Sequence, residues 1–198
     1  MFDSNRQIEI QLRSAEGTRT VKVRFPTDEE WIDRQRRRKI VIKQLGRGVS
    51  ETTVANAEEA DAALLAKIRV DEGPEIDPYE ASRIIEQLGL AEVDDVVAEG
   101  AEFRVVLRVP GGTTAHLLRM PSAKDVIEYR RGFARILDLP FNRQELTVNL
   151  AAAGALYQKL VQTTEGCTGA VPIIHQAVAV KAAIDALEAG FEEREGNS

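Results

Sequence analysis

One cysteine and two histidines are all that this chain of 198 residues offers toward thiol or imidazole chemistry. A lone Cys167 excludes an internal disulfide and suits a reducing compartment. C-x-x-C, H-x-x-x-H and H-E-x-x-H do not occur, so the spacings that gather zinc ligands are missing. Aromatic residues are also scarce, with one Trp, three Tyr and six Phe, which leaves Leu, Ile, Val and Ala to build the core. No apolar run reaches the roughly 18 residues needed to span a membrane. The uncharged stretch 166–180 is too short and contains Pro172. Residues 1–6 lack the apolar segment of a signal peptide. Together these absences predict a cytoplasmic protein with no membrane partner. Nucleotide-loop signatures are missing too: Gly46-Arg47-Gly48-Val49-Ser50 has neither the spacing nor the lysine of a P-loop, and Gly111-Gly112 reads as a hairpin turn.

What the chain does have is a repeat. Shifted by 95 residues, Ile8–Ile42 lies over Phe103–Leu137 without a gap. Eight positions coincide: Leu12/Leu107, Arg13/Arg108, Gly17/Gly112, Thr18/Thr113, Arg24/Arg119, Pro26/Pro121, Ile32/Ile127 and Arg36/Arg131. Charge follows the same rhythm within a net charge of −6. Residues 1–48 carry 12 Lys/Arg against 7 Asp/Glu, and residues 49–102 carry 3 against 15. Residues 103–148 return to 8 against 4, and residues 149–198 fall to 3 against 6. Each copy opens basic and closes acidic, a polarity that favours head-to-tail contact between copies or between chains.

Each copy begins with alternating apolar residues, the period of a half-buried strand. Ile8, Ile10 and Leu12 answer Val21, Val23 and Phe25 across Glu16-Gly17. Phe103, Val105, Leu107 and Val109 answer Leu118 and Met120 across Pro110-Gly111-Gly112, where Pro then Gly suits a type II turn. A helix start follows each hairpin: Thr27-Asp28-Glu29-Glu30 and Ser122-Ala123-Lys124-Asp125 both read as capping boxes. The apolar stripe of the second of these helices continues through Phe133, Ala134 and Leu137, where the first has Arg38, Lys39 and Ile42. Asp77-Pro78, Asn142 with Glu145, and Pro172 mark further helix starts. Leu90–Gly100 reads as a short acidic helical bridge, and 46–48 and 163–169 as loops. The expected fold is α+β, mostly helical with short antiparallel strands, an internal duplication of a hairpin plus three helices (ββααα twice), with repeat units at 1–98 and 99–198.

The remaining chemistry is thin. His116 takes the place of Val21 on an inward strand face and reads as a satisfied core histidine. Cys167 and His175, eight residues apart, form a nucleophilic pair only if the fold brings them within hydrogen-bond reach. No cofactor, metal or catalytic set is expected. The conspicuous run is Arg34, Arg36, Arg37, Arg38 and Lys39. With Trp31 and the hairpin arginines Arg13 and Arg24 it marks the expected partner-binding surface. Nucleic acid is the alternative partner, read by the same basic helix. Against it stand the missing interleaved aromatics and the nearby Asp28, Glu29, Glu30 and Asp33, which are able to pair with these arginines.

The run Arg104–Leu107, Thr113–Leu118 and Arg119-Met120-Pro121-Ser122-Ala123-Lys124-Asp125 resembles the opening of small phage tail assembly chaperones. Their pattern is strand, glycine turn, strand, then a basic residue, x-Pro-[ST] and an acidic helix start. Copy one matches with Val23-Arg24-Phe25-Pro26-Thr27-Asp28-Glu29-Glu30, and this chain departs by carrying two copies. The resemblance implies a non-enzymatic phage or prophage assembly protein. Its partners would be other virion proteins or copies of itself, as a homo-oligomer or complex subunit, in the host cytoplasm or on the particle.

Overall fold

A computed structural model of the chain describes residues 2–3, 7–14, 17–46 and 48–195, with side chains for 7–12, 17–46 and 48–190. The turn expected at Glu16 and the loop residue Arg47 lie outside the described residues. The strands are β1 (Phe2–Asp3), β2 (Gln7–Ser14), β3 (Gly17–Arg24), β4 (Lys39–Gly46), β5 (Val49–Ala55), β6 (Glu92–Glu99), β7 (Glu102–Val109), β8 (Gly112–Arg119), β9 (Ala134–Leu139), β10 (Arg143–Val148), β11 (Val161–Glu165) and β12 (Cys167–Thr168). The helices are α1 (Asp28–Arg37), α2 (Ala57–Ile68), α3 (Pro78–Gly89), α4 (Ala123–Phe133), α5 (Leu150–Leu160) and α6 (Ile173–Glu195). The protein is α+β with antiparallel sheets and one short parallel pair, β1 with β12, and it holds as much strand as helix in place of the mostly helical chain expected.

At an offset of 95 residues, β2 and β3 fall on β7 and β8 with identical bounds, and α1 and β4 begin where α4 and β9 begin. The unit itself differs from ββααα. A second hairpin, β4–β5 or β9–β10, stands between the first helix and the second. The element order is therefore β2-β3-α1-β4-β5-α2-α3 and β7-β8-α4-β9-β10-α5-α6, with β6 ahead of the second series and β11 and β12 between α5 and α6. The expected continuation of the apolar stripe fails for the same reason. Ala134 and Leu137 are strand residues, as are Lys39 and Ile42, and Ala134 is exposed. β-Branched Ile40-Val41-Ile42 favours a strand, and Arg38 already has extended backbone at the end of α1. Three further expectations are corrected: residues 92–99 are a strand, Asn142 sits in a hairpin loop with φ 55°, and 163–165 and 167–168 pair as strands.

Two compact units form, and they do not divide the chain at residue 98. The N-terminal unit holds Asn5–Leu88 plus Ala134–Asn149, and the C-terminal unit holds Met1–Ser4, Gly89–Phe133 and Leu150–Ser198. The hairpin β9–β10 joins the N-terminal unit because β10 pairs with β4, with Arg143 beside Lys43 and Leu146 beside Ile40.

In the N-terminal unit the β2–β3 hairpin turns Ile10, Leu12, Val21 and Val23 inward. They are buried along with Trp31 of α1, Leu64, Leu65 and Ile68 of α2, and Ile84, Ile85 and Leu88 of α3. Burial of this scale supplies the hairpin with the support that two strands alone lack in water. Asp77 caps α3 by accepting from the Glu80 amide at 2.9 Å. The C-terminal unit carries a four-stranded sheet in the order β11-β8-β7-β6. Phe103, Val105, Leu107 and Val109 alternate inward along β7, and α6 lies against β6, β7 and α5.

Candidate interaction surface

The shared corner between hairpin and first helix is built alike in both halves. Thr27 and Glu30 form a reciprocal capping box, the Glu30 amide donating to Thr27 Oγ1 and the Thr27 amide donating to Glu30 Oε2 at 2.9 Å. Arg24 adds a two-pronged grip on the same carboxylate, 2.7 and 2.6 Å long. That grip, against the opposing effect of burial, holds the Glu30 carboxyl at a pKa of about 2. In the second half Asp125 accepts from the amide and hydroxyl of Ser122, lies 3.7 Å from Arg119 and pairs with Lys159. The Lys159 hydrogen bond and then those of Ser122 drive the Asp125 carboxyl well below the usual range. The coincidence of Arg24 with Arg119 thus has a structural cause: each arginine faces the capping carboxylate of its helix.

The expected partner-binding residues separate into buried and exposed sets. Trp31 is 1% exposed and Arg34 is 6% exposed. The Arg34 guanidinium donates to Asp61 of α2 at 2.5 Å and lies 5.4 Å from the Trp31 ring centre. Both belong to the interior of the N-terminal unit, and their assignment to a contact surface is corrected. Arg24 is held by Glu30, and Arg38 is half-buried, its pKa lowered by burial and then by Arg34. Arg37 is exposed and pairs with Asp33 at 3.0 Å; Lys67 pairs with the same carboxylate. The Lys67–Asp33 pair crosses the depression between α1 and α2, which is also lined by Ala60, Ala63 and Leu64. Arg36 is exposed. The Arg13 side chain lies outside the described residues. The run that looks continuous in the sequence therefore leaves Arg36 and Arg37 outward on α1.

The broader exposed surface is one that sequence reasoning missed, the sheet β5-β4-β10-β9. Its two central strands are half-buried at Ile40–Ile42, Gln144–Leu146 and Val148, and its outer strands are exposed over 49–53 and 134–138. Adjacent residues of a strand point to opposite faces, so the exposure of Ile136 (58%) and Leu137 (52%) leaves apolar groups open on both faces. At the tip of β9–β10, Phe141 is 85% exposed and adopts φ 63°. A bulky side chain in the left-handed region is strained, and at this tip the strain coincides with exposure. The Arg143 guanidinium lies 5.9 Å from its ring centre. Leu45 and Val49 are exposed at the tip of β4–β5, at the same end of the sheet, where the Gln44 amide donates to the Asn142 carbonyl at 2.8 Å. The signal available in the sequence was the β-branched run Ile40-Val41-Ile42, hidden beside the charged helix end.

Inside the C-terminal unit, His116 is fully buried and links three elements. Its Nε2 lies 2.9 Å from the Thr114 hydroxyl and its Nδ1 lies 2.8 Å from the Tyr157 hydroxyl, which is 3.1 Å from Thr164 Oγ1. Burial pushes the His116 pKa down to about 4. Burial and then the neighbouring His116 do the same to His175. A neutral imidazole enclosed in this way joins β8 to α5 and β11 and has no opening to a substrate. Cys167 is half-buried beside the carbonyl oxygens of Thr168 and Gly169.

Among the described residues no three His, Cys, Asp or Glu side chains converge as metal ligands, and no helix is long and apolar enough to cross a membrane. Comparison of the chain with protein-family models, curated proteins and solved structures returns no match.

Proposed function

We propose that this chain is a non-enzymatic assembly or structural protein of phage or prophage type, built by duplication and acting through protein–protein contacts. The observation that carries the reading is the sheet β5-β4-β10-β9, open to solvent on both faces and bearing Ile136, Leu137 and Phe141. Large apolar side chains left exposed on both faces and at the tip of one sheet support an interaction site there. The repeated element order supports duplication, and the corner Arg24-Phe25-Pro26-Thr27 with Glu30 supports the likeness to tail assembly chaperones. The engagement of Arg24, Arg34 and Arg37 by carboxylates weighs against nucleic acid as the partner, because phosphate contact needs those charges available.

The test is charge reversal on the outward side of α1. Arg36→Glu with Arg37→Glu should weaken self- or partner-association by at least about tenfold, since complementary charge tunes encounter and register. Sedimentation velocity across a concentration series, with recovery of cross-linked partners from cells producing the protein, reads the effect. Unchanged sedimentation and unchanged partners would remove α1 from the contact surface. A chain that stays monomeric and cross-links to nothing would remove the assembly reading itself.

A further inference from the structure

The order of strands in the N-terminal unit, β5-β4-β10-β9, is not the order that two hairpins related by a twofold axis would give. Such an axis would pair like with like, β4 with β9 or β5 with β10. Instead the first strand of one hairpin, β4, pairs with the second strand of the other, β10. This is a heterologous junction, and a heterologous junction leaves its two halves unused at the far ends. The unused edges are β9, the counterpart of β4, and β5, the counterpart of β10. We infer that the chain assembles head to tail with copies of itself by strand addition, β9 of one molecule pairing antiparallel with β5 of the next, so that the sheet continues in the same order. This rests on the assembly reading above and specifies its partner as a second copy.

Three observations support it. The first is the internal template. Transferring the β4–β10 register by the hairpin equivalences (Val41 with Ile136, Glu145 with Thr52) sets Ile136 beside Thr52 and Leu137 beside Glu51 of the next copy. Arg135 then lies diagonally across from that Glu51 on one face, within reach for a favourable pair. The second is the contrast with the other sheet. Free edges invite unwanted pairing, and proteins blunt them with bulges, charge and short strands. The outer strand β6 has a register shift between Val93 and Asp95 and carries Glu92, Asp94, Asp95 and Glu99. The outer strand β11 is five residues long and shifts register between Val161 and Thr163. β9 pairs in unbroken register and offers Ile136 and Leu137; β5 has its one register shift at the hairpin tip, and along Glu51–Ala55 it pairs without a break and offers Thr52, Thr53 and Val54, which are β-branched. The third is burial: the middles of β4 and β10, flanked on both sides, are half-buried, whereas β5 over 49–53 and β9 over 134–138 are exposed, each with a strand on one side only among the described residues.

Disulfide trapping tests the register. In a Cys167→Ser background, Thr52→Cys and Ile136→Cys sit on opposite edges of one sheet. Three strand spacings separate them, about 14 Å, beyond the roughly 7 Å that a disulfide spans. Any bond between them is therefore intermolecular. Mild oxidation should give a ladder of covalent multimers from the double variant and no ladder from either single variant. Thr53→Cys with Ile136→Cys should fail, because one residue of slip turns the side chain to the other face. Ile136→Lys in the cysteine-free chain should raise the concentration of half-association at least tenfold, and Thr52→Lys should do so from the opposite edge. Dimers from Ile136→Cys alone would mean β9 pairs with itself and would overturn the proposal. The absence of a ladder at every concentration would overturn it too. If the cysteine-free chain then still sediments as a multimer, strand addition fails while the assembly reading stands; a monomer that also cross-links to no other protein removes both.

Discussion

The sheet β11-β8-β7-β6 of the C-terminal unit turns Phe103, Val105, Leu107 and Leu118 into a core covered by helices, and its edges are bulged, short or acidic. The sheet β5-β4-β10-β9 of the N-terminal unit has no comparable covered face, and its outer strands carry apolar and β-branched groups, β9 in unbroken register and β5 with one register shift, beside the hairpin tip at Gln44/Gly46. One sheet is built to stop and the other to continue. The interiors differ in a complementary way. The N-terminal unit buries the ion pair Arg34–Asp61, whose counterparts are Tyr129, at the offset of 95, and Ala153, at the offset of 92 that lays the end of α2 at Ile68 on the end of α5 at Leu160. The C-terminal unit buries His116 with Tyr157, whose counterparts are Val21 and Leu65. Each half keeps one buried polar pair and fills the other's place with uncharged or apolar groups. The same frame thus tolerates either pair, provided both partners change together.

The largest effect expected is on the buried ion pair. Arg34→Ala leaves Asp61 buried without its cation and should cost about 3–5 kcal/mol in chemical denaturation. Replacing the pair by the residues of the other half, Arg34→Tyr with Asp61→Ala, should recover most of that loss; no recovery would show that the two interiors are not interchangeable. Acid should strike the C-terminal unit next. Because the folded-state pKa of His116 and of His175, about 4, lies below the ordinary 6.5, the unfolded chain binds more protons between those values. Stability is then full above pH 6.5 and falls as the pH drops toward 4, by up to about 3 kcal/mol per imidazole. His116→Val with Tyr157→Leu should remove the His116 share and leave that of His175, so that the fall is roughly halved, read as the denaturation midpoint against pH. The Arg24–Glu30 grip should weaken only lower, as the pH falls from 4.5 toward 2. Smallest are the caps: Thr27→Ala and Ser122→Ala should each cost about 1 kcal/mol. Equal losses would support the likeness of the two corners, and a loss confined to one half would break it.

Much of this was legible in the linear chain. The offset of 95, the strands β2, β3, β7 and β8, both capping boxes and the inward place of His116 rest on short-range periodicity and on side chains within three residues of the amides they cap. The basic run misled because a charged helix end followed by Lys39 reads as more helix, and because nothing local says that Arg34 faces Asp61, 27 residues on. Trp31 misled likewise: a lone aromatic beside arginines looks like a contact residue until the helix is packed.

The sequence alone determined the repeated frame, the α+β class and the hairpin-to-helix corners, because those follow from alternation, turn chemistry and capping within a few residues. Only the tertiary structure decided that β4 pairs with β10, about 100 residues away, and that the resulting sheet has, among the described residues, two unpaired edges. Backbone hydrogen bonds between strands are made by groups that every residue carries, so the choice of neighbour leaves no mark in the order of side chains.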